Sequence, residues 1–195
     1  MEITAVMVKE LRSQSGAGIM ECKSALKETN GDVDAAITFL RKKGLAKADK
    51  KSDRQTGDGS IGSYIHAGSK LGVMVELNCE TDFVANTPDF QELVRDIAMH
   101  IAAAKPRFAT REEVTQEILD KEKEIAAHQA KESGKPENII EKIVSGKMEK
   151  FYEETCVLEQ PIIKDTNITV QDLIKQKIAL LGENINIGKF VRFEI

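Results

Sequence analysis

Cys79, His66 and His100 are the residues whose types could support covalent chemistry, because a thiol becomes a nucleophile when an imidazole is positioned to take its proton. Their spacing carries no such signature. Cys79 closes a stretch that alternates like a strand and His100 lies inside a helical pattern, so packing is the expected role of both, while His128 sits on a heavily charged segment. Glu80 and Asp82 could act as an acid and a base or as metal ligands, yet only Thr81 separates them and no third ligand is suggested by spacing. Neither a metal nor a cofactor is therefore expected. "GSYIHAG" and "HAGSKLG" both lack the Lys-Ser/Thr ending of a nucleotide phosphate loop. What remains in "NCETDFVAN" (residues 78–86) is Phe83, an aromatic between acidic residues and a helix start, in a chain with 7 Phe, 2 Tyr and no Trp. It either packs inward at the corner or stands outward for a partner, and the pattern leaves both open.

The elements that must hold this corner can be read from periodicity. Ile3, Val6, Met7 and Leu11 have the spacing of one buried helix face, and "SQSGAG" breaks it. Ile19, Met20, Cys22, Ala25 and Leu26 mark a second short helix, "TNGD" a turn, and Val33, Ala36, Ile37 and Leu40 a third, with Gly44 placed to end it at positive φ. "KADKKSDRQTGDGS" has almost nothing to bury and reads as a mobile linker. The boundary falls near residue 55, giving a docking bundle over 1–55 and a core over 56–195. "IGSYIHAGSKLGVMVELNCE" reads as a hairpin turning at "AGSK". Thr87 and Pro88 then suit the N-cap and first position of a helix whose stripe is Phe90, Leu93, Val94, Ile97, Ala98 and Ile101, stopped by Pro106 soon after Ala104. A charged helix is expected over 115–133, although "TREE" from Thr110 also fits a capping box with Glu113. Two short helices broken at Gly146 follow, then one capped at Thr169 and ended by Gly182, then a terminal strand, "NINIGKFVRFEI". The fold class is α+β: a three-helix bundle, a flexible linker, and a small antiparallel sheet packed with helices.

Composition narrows the function. The chain has 195 residues and a net charge of −4. That argues against a protein that wraps nucleic-acid backbone. Residues 1–54 carry 11 basic and 8 acidic side chains, a surplus of +3 against −7 for the remainder, which fits two modules. The three cysteines are odd in number, far apart and without a CxxC, as in a reducing compartment. No signal peptide or membrane-spanning run is evident, so a cytoplasmic protein is expected. From composition and periodicity alone, a docking or adaptor protein without effect on nucleotide binding stands beside any more specific function.

Two motifs, "LRSQSGAGIMECKSAL" (Leu11 to Leu26) and "ELNCETDFVAN" (Glu76 to Asn86), resemble both sequence signatures of the elongation factor Ts family, in the right order. "TNGD", "AMHIAAAKPRF", "GKPENIIEKIVSGKMEKFYEE", "LEQPIIKD" and "FVRFEI" extend the likeness over nearly the whole chain. Ser15 stands where the family commonly has Thr, which preserves a hydroxyl able to cap. Long members carry the core motif twice and a coiled-coil insertion. Here the hairpin-plus-helix unit occurs once, so the resemblance implies a short type whose missing half is supplied by a second copy, as a homodimer.

The resemblance further implies a guanine nucleotide exchange factor for elongation factor Tu, acting in translation elongation by protein binding and performing no chemical step of its own. Its bundle, similar to a ubiquitin-associated (UBA) domain, would dock through Met20 and Lys23. Asp82 and Phe83 would face the helices beside the partner's magnesium site, with Thr81 and Val84 holding the corner rigid. His66 is implied as a further partner contact.

Overall fold

The computed structural model describes residues 3–132 and 136–195. The first two residues of the opening segment, the end of the helix expected over 115–133 and the start of "GKPENII" lie outside the described residues.

The chain opens with α1 (Ala5–Ser15), α2 (Ile19–Glu28) and α3 (Val33–Asp49). Thr4 Oγ1 accepts the Met7 N–H at 3.3 Å and Asp32 Oδ1 the Ala35 N–H at 2.9 Å, satisfying amide donors that helix starts leave free. Ser15 keeps the capping capacity expected of its hydroxyl: Oγ donates to Leu11 O at 2.7 Å and accepts the Ala17 N–H at 3.3 Å. Val8, Leu11, Cys22, Ala25, Leu26 and Ala36 form the buried core of this bundle, so Cys22 packs as a small hydrophobe.

Gly44 does not end the third helix. α3 continues to Asp49, and a Cβ at Gly44 would stand 3.3 Å from that of Ala179, so the glycine serves close packing against a later helix. The run expected as a mobile linker is correspondingly short and tethered. Lys47, Ala48 and Asp49 are helical, and Asn184 Nδ2 donates to the carbonyls of Ser52 at 3.0 Å and Arg54 at 2.8 Å. Its composition offers little apolar to bury beyond Ala48, which is buried at the end of α3, but its backbone finds partners about 130 residues onward.

β1 (Asp58–Ile65) and β2 (Leu71–Cys79) make the expected hairpin, in which the His66 N–H donates to Leu71 O at 2.9 Å. With β5 (Ile185–Glu194) they form a sheet of order β1-β2-β5. A one-turn helix, α4 (Asp82–Ala85), separates β2 from α5 (Pro88–Ala104), whose start is capped as expected: the Phe90 N–H donates to Thr87 Oγ1 at 3.3 Å. Val73, Val75 and Leu77 alternate inward on β2, and Val94, Ile97 and Ile101 recur on the buried stripe of α5. A Cβ at Gly62 of β1 would lie 2.1 Å from Val94 Cγ1, so only glycine admits this strand so near the helix.

α6 (Gln116–Glu132) and α7 (Glu137–Thr155) follow, joined side to side by Lys147 Nζ on Gln129 Oε1. Glu113 reaches back to the Ala109 N–H at 2.8 Å rather than forming a capping box with Thr110. α7 runs unbroken through Gly146, where two helices were expected. One interior glycine costs about 1 kcal/mol relative to alanine, too little to divide a 19-residue helix. β3 (Pro161–Ile162) pairs antiparallel with β4 (Asp165–Thr169), a small hairpin absent from the sequence reading, and α8 (Val170–Leu181) ends at Gly182 as expected.

By compactness the chain divides into two units. One comprises Met1–Ser60, Asn78–Leu93 and Asp172–Asn186; the other comprises Ile61–Leu77, Val94–Gln171 and Ile187–Ile195.

Candidate functional site

Thr81, Asp82, Phe83 and Val84 come together on the turn from β2 into α4. Thr81 is extended (φ −138°, ψ 156°), and the chain bends into helix at the next residue. Thr81 and Val84 are half-buried, whereas Asp82 and Phe83 face solvent. Phe83 is 82% exposed, which excludes the inward-packed alternative. An isolated exposed apolar residue is ordinary on a protein surface. Here, however, the ring stands on a backbone held from several sides.

The Glu183 carboxylate accepts the N–H groups of Glu80 at 3.1 Å and Thr81 at 3.0 Å, and the Thr81 hydroxyl at 2.7 Å. The Cys79 thiol donates to Thr81 O at 3.1 Å. Beyond the ring, Asn86 Nδ2 donates to Asp82 O at 2.8 Å, and the Thr87 hydroxyl donates to Val84 O at 2.8 Å. Asn184 adds its own N–H to Glu80 Oε1 at 2.7 Å. Sequence reasoning missed Glu183 and Asn184. They lie where a helix-ending glycine gives way to the expected terminal strand, and they act on residues more than 100 positions earlier.

The cysteine is supporting structure. Cys79 is buried, and its burial first, then the Glu183 carboxylate, push the thiol pKa up and keep it protonated. His100, for which packing is the expected role, is itself buried with Nε2 on Gln160 Oε1 at 2.9 Å. Among the described residues no group of three or more His, Cys, Asp or Glu side chains is arranged to hold a metal ion.

Met20 and Lys23 share one exposed side of α2, with Met20 75% exposed. His66 lies at the hairpin turn, exposed, its Nδ1 at 2.9 Å from the Tyr64 hydroxyl.

A second exposed apolar surface occupies the three-stranded sheet. The Ile195 N–H donates to Lys70 O at 2.9 Å, which pairs β5 with β2 so that Phe193 falls across from Gly72. A Cβ at Gly72 would touch Ile65 Cδ1 at 3.0 Å, which fixes Ile65 on the same face. Arg192 Nε turns the opposite way, donating to Ala102 O of α5 at 3.2 Å. Ile61, Ile65, Met74, Val191 and Phe193 are therefore an exposed apolar row on the side of the sheet away from α5. No described helix is long and apolar enough to cross a membrane.

Comparison with known proteins gives this geometry a context. The family described as Elongation factor TS matches residues 8–195. A protein named Elongation factor Ts from Fervidobacterium nodosum is 58% identical, with 100% of this chain and 99% of that protein covered. A protein of the same name from Carboxydothermus hydrogenoformans is 58% identical over 99% of this chain and 89% of its own length. Another from Solibacter usitatus is 58% identical over 100% and 92%, respectively.

Proposed function

The chain belongs to the elongation factor Ts family, whose members act in translation elongation, and from that premise we propose that it is a guanine nucleotide exchange factor for elongation factor Tu. The observation that carries this reading is Phe83, solvent-exposed on a turn whose backbone is fixed by its own chain.

A GTPase that holds GDP at nanomolar strength has about 12 kcal/mol of binding free energy at stake. An exchange factor leaves that endpoint untouched and instead binds the nucleotide-free state better than the loaded one. By linkage, nucleotide loosens the factor as much as the factor loosens nucleotide. Phe83 supplies such a difference if its receiving pocket opens only when the partner's helices shift. Burying one aromatic ring contributes roughly 1.5–3 kcal/mol, confined in that case to the empty state. Asp82 places a fixed carboxylate next to it, able to disturb the octahedral shell of a partner-bound Mg²⁺. The factor itself performs no bond chemistry and needs no cofactor.

In this reading, residues 1–55 form a UBA-like docking module that uses Met20 and Lys23, and 56–195 form the core that presents Phe83 and dimerises. This is a functional division, distinct from the two compact units. His66 is assigned as a further contact. The apolar row on the sheet is the face we assign to a second copy of the chain, because monomeric proteins seldom leave a contiguous apolar strip uncovered. The protein would work in the cytoplasm without direct nucleic-acid contact.

Release of labelled GDP from elongation factor Tu, measured with and without this chain, tests the proposal. Accelerated release supports it. A complex that forms and retains its nucleotide refutes it in favour of an adaptor.

A further inference from the structure

Phe83 owes its presentation to a residue far away in sequence. We propose that Glu183 is a positioning residue for exchange: its carboxylate fixes the Glu80–Thr81 backbone so that the Phe83 ring is held outward before any partner arrives. This rests on the exchange reading above.

α4 is four residues long, too short to be stable alone, since helix nucleation is unfavourable until several turns form. Glu183 offers two oxygens to three donors. Oε2 accepts both amides, of Glu80 and Thr81, and Oε1 accepts the Thr81 hydroxyl at 2.7 Å. A carboxylate accepting backbone N–H groups makes the stronger, charge-assisted kind of hydrogen bond. Asn184, the next residue, ties the same β2 terminus through Glu80 and also holds the Ser52 and Arg54 carbonyls. The junction between α8 and β5 is thus a clamp on the turn. Without it, the segment would sample other conformations, and each encounter would carry the entropy of ordering it.

Glu183→Gln retains a carbonyl oxygen for the two amides and an NH₂ that can donate to the Thr81 hydroxyl, so it should preserve the geometry. Glu183→Ala removes all three acceptor contacts, and Thr81→Val removes only the hydroxyl. The test combines amide hydrogen exchange, resolved by NMR at Glu80 and Thr81, with stimulated GDP release from elongation factor Tu. In Glu183→Ala both amides should lose protection and stimulation should fall about 10- to 100-fold, the range expected for losing hydrogen bonds to a charged group. Glu183→Gln should remain within about 3-fold of the parent, and Thr81→Val should fall between the two. Wild-type stimulation in Glu183→Ala despite unprotected amides overturns the inference. So does a Glu183→Gln defect as deep as that of Ala, since the charge would then act on the partner rather than on the turn. If Glu183→Ala does not fold, unchanged stimulation by Thr81→Val overturns it. Phe83→Ala in parallel separates the two levels: full stimulation there defeats the Phe83 reading itself, whereas a defect there with a normal Glu183→Ala defeats only the positioning role.

Discussion

Truncating Phe83 should separate binding from stability. The ring is 82% exposed, so Phe83→Ala removes few native contacts and should alter folding stability by no more than about 0.5 kcal/mol. In a complex with the nucleotide-free GTPase the same ring would be buried, and its loss should weaken that complex by roughly 1.5–3 kcal/mol, about 10- to 150-fold in affinity. Because the gain is assigned to the empty state, affinity for the GDP-loaded form should hardly change. Reciprocity then requires that GDP dissociate the mutant complex less effectively, by the same factor. Stopped-flow release of fluorescent GDP over a concentration series of the factor, together with thermal unfolding of the free variant, measures both quantities. A stability loss of 2 kcal/mol or more, on the order expected for a core phenylalanine, would contradict the exposed placement. Undiminished GDP release with an intact fold would refute the role given to the ring.

Asp82→Ala should slow GDP release less when Mg²⁺ has already been chelated from the partner, if its carboxylate works through the metal shell; an equal defect with and without chelator would exclude that route. Gly62→Ala should destabilise by about 1–3 kcal/mol through its clash with Val94 Cγ1, 2.1 Å from the added Cβ. Pairing it with Val94→Ala should recover part of that loss in chemical denaturation, and strict additivity would argue against the contact. Burial holds the His100 pKa below its ordinary 6.5, with the Gln160 hydrogen bond opposing. The unfolded chain therefore binds the extra proton first, so this contribution to stability is complete above about pH 6.5 and is lost as pH falls, by at most about 1.4 kcal/mol per pH unit. His100→Gln should flatten the stability profile as pH falls below about 6.5, and an unaltered slope would remove His100 as its source. Phe193→Asp places a charge in the apolar row of the sheet and should convert a dimer to monomer in sedimentation, while a parent chain that already sediments as a monomer would refute the assigned interface.

Most of the fold was legible because most of its rules are local. The Thr87-Pro88 start of α5, the hairpin turning after His66 and the stop of α8 at Gly182 all follow from residues within a few positions of the event. The misses share a different cause. Gly44 and Gly146 were read as breaks, but helix continuity is decided by the flanking residues and by what packs outside. Gly44 makes room for Ala179, and Gly146 is simply carried by a long helix. The linker reading failed in the same way, since its carbonyls are satisfied by Asn184, far along the chain.

The site shows the same limit more sharply. "TDFV" marks the candidate turn in the sequence, but whether Phe83 points in or out is decided where the chain crosses itself. β2 delivers the turn, and the α8-to-β5 junction returns Glu183 and Asn184 to seize its backbone. A ring that merely happened to be exposed would sit on a loose turn, free to fold back onto the nearest apolar surface. Here the two amides preceding α4 are committed to a carboxylate, so refolding the turn to carry the ring inward would leave that acceptor short of donors and the amides seeking new ones. Outward presentation is therefore a property of the hydrogen-bonded backbone rather than of the aromatic residue. It follows that Glu183→Ala should disturb presentation although it changes no atom of Phe83 itself.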